Sequence, residues 1–118
     1  SRGDMIVREN NVPQVGQDLD ILVTWMNDKP LRSRTKVIAK HTTNECMAMV
    51  KALKYKVDIN TLHRIEDIDS LEMNDIGRIT LRTSKPLFYD TYKRNRQTGS
   101  LIIIDEQTNE TIGAGMII

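Results

Sequence analysis

Residues 101–118 read LIIIDEQTNETIGAGMII, and this stretch decides the fold. It begins with an apolar, mostly β-branched run at 101–104, a pattern typical of a strand that is buried on both sides. The residues at 107–110, Gln-Thr-Asn-Glu, are typical of a turn. In 111–118 the side chains that share one face are Ile112, Ala114, Met116 and Ile118. The stretch therefore predicts a β-hairpin that closes the domain.

The same two-residue period runs through earlier parts of the chain. Apolar residues alternate with mostly polar ones around 19–25 and 79–83; the alternating sets are Leu19, Ile21, Val23 and Trp25, then Ile79, Leu81 and Thr83. Turn-forming residues at 10–13, 27–30 and 74–77 separate these segments. Several short strands with little helix predict an all-β sandwich or barrel. A closed barrel also removes the exposed edges of such strands.

Two segments are ambiguous. Residues 46–56, CMAMVKALKYK, are rich in helix formers. The alternation of Leu53, Tyr55 and Val57 with polar residues nevertheless favours a strand, so we predict one long bent strand here. Residues 61–73 are expected to hold a turn or two of helix, capped by Asn60 or Thr61.

The composition excludes several classes of function. The chain has 118 residues, enough for one domain, and 17 basic against 16 acidic residues give a net charge of +1. This balance excludes DNA binding by bulk charge and gives no attraction to an anionic membrane. Cys46 is the only cysteine, so no intrachain disulfide can form. No apolar run approaches the roughly 18 residues of a spanning helix. We therefore predict a cytoplasmic protein without a membrane partner.

No motif points to catalysis, a cofactor or a metal. Gly113-Ala114-Gly115 is too short for a dinucleotide-binding loop, and we expect a bulge or close packing there. Cys46, His41 and His63 lack the spacing of metal ligands; we expect two surface histidines and a buried thiol. Residues 66–72 fail the ligand pattern of a calcium loop and predict a solvated loop or frayed helix. The sequence thus gives no catalytic, cofactor-binding or metal-binding residue.

Two basic groups remain as candidate binding residues. One is Lys93-Arg94-Asn95-Arg96, which lies between Tyr92 and a Thr-Gly turn; the other comprises Arg32, Arg34, Lys36 and Lys40. Cations beside aromatic rings can contact RNA. Aromatic residues make up only 4% of this chain, and arginine and tyrosine also suit protein interfaces. We therefore predict that the loop from Tyr92 to Thr98 lies at a protein interface, with nucleic acid as the alternative partner.

Several stretches together resemble a known family. They are 25–31 (WMNDKPL), 71–90, the Asn-Arg-Gln-Thr-Gly stretch at 95–99 with the strand after it, and 111–117. In this order they resemble the C-terminal barrel of the large, GTP-binding subunit of bacterial sulfate adenylyltransferases. A more distant resemblance is to the third domain of elongation factor Tu, which also ends in Thr-x-Gly-Ala-Gly. The resemblance implies a closed six-stranded antiparallel barrel over residues 1–118, with at most a short helical turn.

The resemblance also implies a functional context. Residues 1–10 resemble the end of a preceding barrel, so we expect a longer parent with a GTPase domain and second barrel that this sequence lacks. Such a parent binds GTP with magnesium and pairs with a small ATP-binding catalytic subunit. Together they form adenosine 5′-phosphosulfate and pyrophosphate from ATP and sulfate, driven by GTP hydrolysis. The barrel alone is expected to be inactive, with the small subunit and its own upstream domains as partners. The alternative is an RNA- or ribosome-contacting barrel of a translation-factor-like GTPase.

Overall fold

The computed structural model describes residues 14–118, and every named element in it is a strand. The strands are β1 Gln14–Trp25, β2 Lys36–His41, β3 Asn44–Val57, β4 Arg64–Ile65, β5 Ile76–Tyr89, β6 Ser100–Ile104 and β7 Thr111–Ile117. The predicted turn at 10–13 and residues 1–10, which resemble the end of a preceding barrel, lie outside the described residues. No helix in 14–118 is long and apolar enough to cross a membrane.

Six of the strands form a closed antiparallel barrel. They are hydrogen-bonded in the order β2-β6-β7-β1-β5-β3, and β2 also pairs with β3, which closes the sheet. The short β4 pairs only with the end of β3. Closure leaves every one of the six strands with two neighbours over at least part of its length. The predicted six-stranded antiparallel barrel is therefore confirmed.

The core follows from the two-residue period. Leu19, Ile21 and Val23 on β1 are 0% exposed, as are Ile79 and Leu81 on β5. Alternate side chains of a strand point to opposite faces, so these residues fill the barrel while the intervening polar residues face water. Each fully buried aliphatic side chain contributes about 1.5–3 kcal/mol of transfer free energy.

The ambiguous segment at 46–56 belongs to a strand, as predicted. β3 is 14 residues long, and its pairing with β5 shifts register twice, between Val50 and Ala52 and between Leu53 and Tyr55. Such bulges bend a strand and increase its twist. They allow a sequence rich in helix formers to follow the curved wall of the barrel.

The closing hairpin is confirmed, but two details of its prediction were wrong. Ile102 is 39% exposed, so the run at 101–104 is buried on one side only, because the outer wall of a barrel faces solvent. On β7 Gly113, Gly115 and Ile117 point inward, and Ile112 is buried as well, so Ile112 does not share a face with Ala114 and Met116 as predicted. A register shift next to Ile103 places Ile112 inward as well.

The glycines of β7 allow close packing, as the sequence predicted. A Cβ atom on Gly115 would lie 3.1 Å from Cδ1 of Ile21, and one on Gly113 would lie 3.4 Å from Cε3 of Trp25. The separation at Gly115 is tighter than an ordinary van der Waals contact and that at Gly113 is at its lower limit, so the absence of side chains helps β7 to pack closely against β1.

The predicted helical turns at 61–73 are wrong. In the described residues this segment contains β4 and a bridge from Leu71 to Leu31. The capping residue is Asp58, whose Oδ1 accepts hydrogen bonds from the backbone N–H groups of Asn60 and Thr61. It caps a single turn that returns the chain to β4, because Leu62 has a positive φ of 62° and cannot continue a right-handed helix.

Antiparallel pairing places the connections at two opposite ends of the barrel. The connections β1–β2, β3–β5 and β6–β7 lie at one end, which we call the arm end. The connections β2–β3 and β5–β6 lie at the other, which we call the loop end. The two ends differ in charge. The five acidic residues and one arginine of 58–72 are at the arm end, whereas residues 92–98 at the loop end carry three cations and no acid.

Candidate interface loop between β5 and β6

The predicted interface residues form the β5–β6 connection. Residues 92–98, hereafter the interface loop, lie at the loop end of the barrel. Lys93, Arg94, Arg96 and Gln97 are all exposed. The structure thus presents the three cations of the sequence motif on one short segment.

The side chain of Asn95 organises the backbone of this loop. Its Oδ1 accepts hydrogen bonds from the N–H groups of Gln97 (3.0 Å) and Thr98 (3.3 Å). Its carbonyl oxygen accepts the N–H of Gly99 at 2.8 Å. Asparagine favours such turns because its short side chain hydrogen-bonds the backbone two residues on. The polar backbone of the loop is therefore satisfied internally and holds one shape.

Gly99 is required at the end of the loop for steric reasons. A Cβ atom there would lie 2.4 Å from both the Cα and the N of Tyr92. Backbone atoms cannot move aside as a flexible side chain can, and real Cβ atoms do not make such contacts. Any side chain at 99 would therefore separate the two halves of the loop.

Four further hydrogen bonds fix the loop and the adjoining Gly99 to the rest of the barrel. The Nε2 of His41, at the end of β2, lies 2.7 Å from the carbonyl oxygen of Thr98. The hydroxyl of Thr98 donates to Oδ2 of Asp90 at 2.8 Å. The last residue of β7, Ile117, accepts the N–H of Tyr92 and donates its own to Gly99, both at 2.8 Å. The loop is thus tied to β2, to β7 and to Asp90, the residue that follows β5.

His41 is therefore a structural residue, and its predicted surface position was wrong. It is only 2% exposed. Because a carbonyl oxygen can only accept, the Nε2 atom must carry the proton in this contact. His63 is exposed, as predicted, and Cys46 is buried, as predicted.

The second basic group is not brought together. Arg32 and Arg34 lie in the β1–β2 loop at the arm end, whereas Lys40 lies at the loop end of β2. Lys40 and Gln97 line the same surface hollow of about 120 Å³. Lys40 therefore extends the cationic surface of the interface loop, and the two arginines do not.

The described residues do not form a catalytic arrangement. No group of three or more histidine, cysteine or acidic residues in 14–118 could hold a metal ion. A surface groove of about 380 Å³ on β2, β3 and β5 contains the hydroxyl side chains of Thr83 and Ser84, but its lining residues include no histidine or carboxylate to act as their base. Hydrogen bonding to Tyr55 and then to Asp20 raises the pKa of Arg78 against the opposing effect of burial; a guanidinium is already a permanent cation and performs no acid–base chemistry.

Sequence reasoning missed a repeated turn. Asp58, Asn95 and Asp105 each accept two backbone N–H groups through Oδ1, and each is followed three residues later by a threonine. The signal was the spacing Asx-x-x-Thr, which occurs at 58–61, 95–98 and 105–108. It identifies the loops that are rigid.

Comparisons with solved structures define the class of barrel. The structure of Sup35 with GDP superposes with a TM-score of 0.80 at 13% identity, covering 93% of this chain and 26% of that one. The GTPase-like domain of yeast Ski7 bound to GTP gives a TM-score of 0.68 at 9% identity, covering 97% of this chain and 23% of that one. The fold is therefore that of a domain present in these two proteins, whose structures contain GDP or GTP.

Sequence comparison gives the family. Residues 18–118 match the family described as GTP-eEF1A C-terminal domain-like, and the chain belongs to it. It is 45% identical over its full length to the bifunctional enzyme CysN/CysC of Mycobacterium tuberculosis, covering 19% of that protein. It is 39% identical to sulfate adenylyltransferase subunit 1 of Bacteroides thetaiotaomicron, covering all of this chain and 26% of that protein. The chain thus spans about a fifth to a quarter of these curated relatives.

Proposed function

We propose that this chain is the non-catalytic C-terminal barrel of the GTP-binding subunit of a bacterial sulfate adenylyltransferase. The observation that carries the proposal is the identity of 39–45% across the whole chain to CysN/CysC and subunit 1 proteins. In that role the barrel supports formation of adenosine 5′-phosphosulfate and pyrophosphate from ATP and sulfate. GTP with magnesium would bind to the upstream GTPase domain, and ATP would bind to the small subunit.

The barrel would act as a rigid support. Its six strands form a closed sheet, and the interface loop is held by hydrogen bonds to β2, to β7 and to Asp90, which follows β5. A rigid barrel moves as one unit when a neighbouring domain is displaced. GTP-dependent ordering of switch segments in a GTPase domain could then move the barrel as a unit relative to its partner.

The interface loop would be one contact of this support. Lys93 and Arg96 project from a fixed backbone, and residues 92–98 contain no acid to neutralise them. A preorganised segment loses little conformational entropy on binding, which favours complex formation. We propose that the surface it meets, on the small ATP-binding subunit or on the upstream domains of its own chain, is acidic, and that the complex is cytoplasmic.

The first experiment is titration calorimetry of the purified chain with the small ATP-binding subunit. Binding supports a direct contact between the two. The second experiment replaces Arg94 and Arg96 with alanine in the intact GTP-binding subunit. We expect weaker subunit assembly and lower GTP-stimulated synthesis. If assembly and synthesis both stay at the wild-type level, the role of the loop is refuted.

A second candidate follows from the segregation of charge. The net charge of +1 conceals a loop end with three clustered cations beside Tyr92, which could contact RNA phosphates. RNA binding that weakens steeply between two salt concentrations would favour this alternative. If no salt-dependent RNA binding is detected, a protein partner for the loop is favoured instead.

A further inference from the structure

An exposed apolar cluster occupies the arm end, in the connection from β3 to β4. Ile59 is 67% exposed, Leu62 is 76% exposed and Ile65 is 39% exposed. A single exposed apolar residue is ordinary, but three within seven positions form a concentrated patch. Ile59 and Ile65 also line one surface hollow of about 200 Å³ together with Lys56 and Asp75. We call residues 58–66 the apolar arm.

The arm is rigid, although most of its side chains face solvent. Its turn is closed by backbone hydrogen bonds from Leu62 to Asp58 and from Asp58 to His63. At its base, the guanidinium of Arg64 lies 4.6 Å from the centre of the Tyr55 ring, a cation–π contact that holds β4 beside β3. The exposed apolar side chains are therefore carried on a fixed frame.

A second turn of the chain shows that Leu62 is a poor residue for its backbone position. The turn at Asp105 makes the same pattern of hydrogen bonds as the turn at Asp58. In both, the fifth residue has a positive φ, 62° at Leu62 and 61° at Asn109. Asparagine tolerates this left-handed conformation, whereas leucine does not favour it. Leu62 is thus both strained and exposed, and neither feature stabilises the isolated chain.

The charges beside the arm indicate what would cover it. Glu66, the last residue of the arm, is exposed, and so are Asp67, Asp69 and Glu72, which follow the arm. None of these carboxylates forms a salt bridge within residues 14–118. An apolar tip followed by exposed carboxylates without salt bridges is complementary to an apolar pocket bordered by lysine and arginine.

We propose that Ile59, Leu62 and Ile65 insert into an apolar, basic-rimmed pocket on the small ATP-binding subunit. This inference rests on the proposed function, which supplies that partner. Leu62 would be the central contact, because it is the most exposed of the three and occupies the tip of the turn. The strain at Leu62 is then a binding feature, since it presents a preformed apolar side chain to the partner.

The test compares the binding and the stability of Leu62→Asn. This variant copies Asn109 at the matching position, so it should fold with a melting temperature equal to or above that of the wild-type chain. Its Kd for the small subunit, measured by calorimetry, should rise at least tenfold. Met47→Thr is the matched control, because Met47 is 41% exposed on the outer barrel wall away from the arm; its Kd should not change.

The possible outcomes separate the inference from the proposed function. Wild-type binding that is unaffected by Leu62→Asn overturns the arm but leaves the direct contact intact. A large fall in melting temperature for Leu62→Asn also overturns the inference, because the leucine would then have a structural role. If the wild-type chain does not bind at all, the arm is overturned; assembly of the intact GTP-binding subunit with the small subunit then tests the proposed function separately. Affinity of the wild-type chain that does not fall with rising salt contradicts a basic rim.

Discussion

The Nε2 atom of His41 lies 2.7 Å from the carbonyl oxygen of Thr98, although 57 residues separate them in the chain. This contact joins the end of β2 to the interface loop and buries the imidazole, which is only 2% exposed. The shape of the loop therefore depends on a residue of another strand as well as on its own sequence.

His41→Leu removes the donor while keeping an apolar side chain in the buried site. It should lower the free energy of unfolding by about 1–3 kcal/mol, because the carbonyl of Thr98 loses its partner. Urea denaturation measures this difference. His63→Leu is the matched control: His63 is exposed, and the change should stay within about 0.5 kcal/mol. Equal effects of the two substitutions would contradict the structural role of His41.

Gly99→Ala tests the steric requirement at the end of the loop. The new Cβ would lie 2.4 Å from backbone atoms of Tyr92, so we expect a loss of about 3 kcal/mol or more, or an insoluble chain. Gly16→Ala is the control, because a Cβ there would meet nothing closer than the Tyr89 ring at 3.8 Å. That variant should be neutral or more stable by about 0.4–1 kcal/mol. Thermal unfolding of both variants measures the difference. A stable, soluble Gly99→Ala chain would refute the steric requirement for glycine at position 99.

Asn95→Ala and Asn95→Asp together test whether the Oδ1 atom of Asn95 stabilises the interface loop. Alanine loses the bonds to the N–H groups of Gln97 and Thr98, and by analogy with helix caps it should cost about 0.5–2 kcal/mol. Aspartate keeps an acceptor oxygen, as Asp58 and Asp105 do in the related turns, and should retain most of the stability. Comparable losses for both variants, measured by chemical denaturation, would show that Oδ1 does not organise the loop.

The ion pair between Arg78 and Asp20 should contribute little. Its atoms are 3.3 Å apart, and the two side chains are 34% and 42% exposed, so solvent screens the attraction. A double-mutant cycle with alanine at both positions should give a coupling energy below about 1 kcal/mol that falls further in high salt. A coupling energy well above that value, and insensitive to salt, would show that this ion pair stabilises the pairing of β1 with β5.

Much of the barrel could be predicted because its signals are local. The alternation at 19–25 and 79–83 and the turn residues between strands depend only on neighbouring positions. The bent strand at 46–56 was recovered for the same reason, from the alternation of Leu53, Tyr55 and Val57. The Asx-x-x-Thr spacing was equally local and was missed, and with it the cap at Asp58.

The errors arose where burial depends on strands that meet only in the folded barrel. Ile102 looked buried on both sides, but a closed barrel has a single interior and leaves the other face in water. On β7, one register shift beside Ile103 changed which residues point inward, because a displacement of one residue reverses every following side chain.

The sequence by itself was sufficient to predict the strands and the antiparallel hairpin at 101–118, and it contains no recognisable catalytic motif. Each of these conclusions depends only on residues that are close together in the chain. The tertiary structure decided the surroundings of the individual side chains. It buried His41 against Thr98, left no room for a side chain on Gly99, separated Arg32 and Arg34 from Lys40, and exposed Leu62 on a rigid turn. These outcomes depend on atoms brought together by the closure of the barrel, from positions too far apart in the chain for any local pattern to encode.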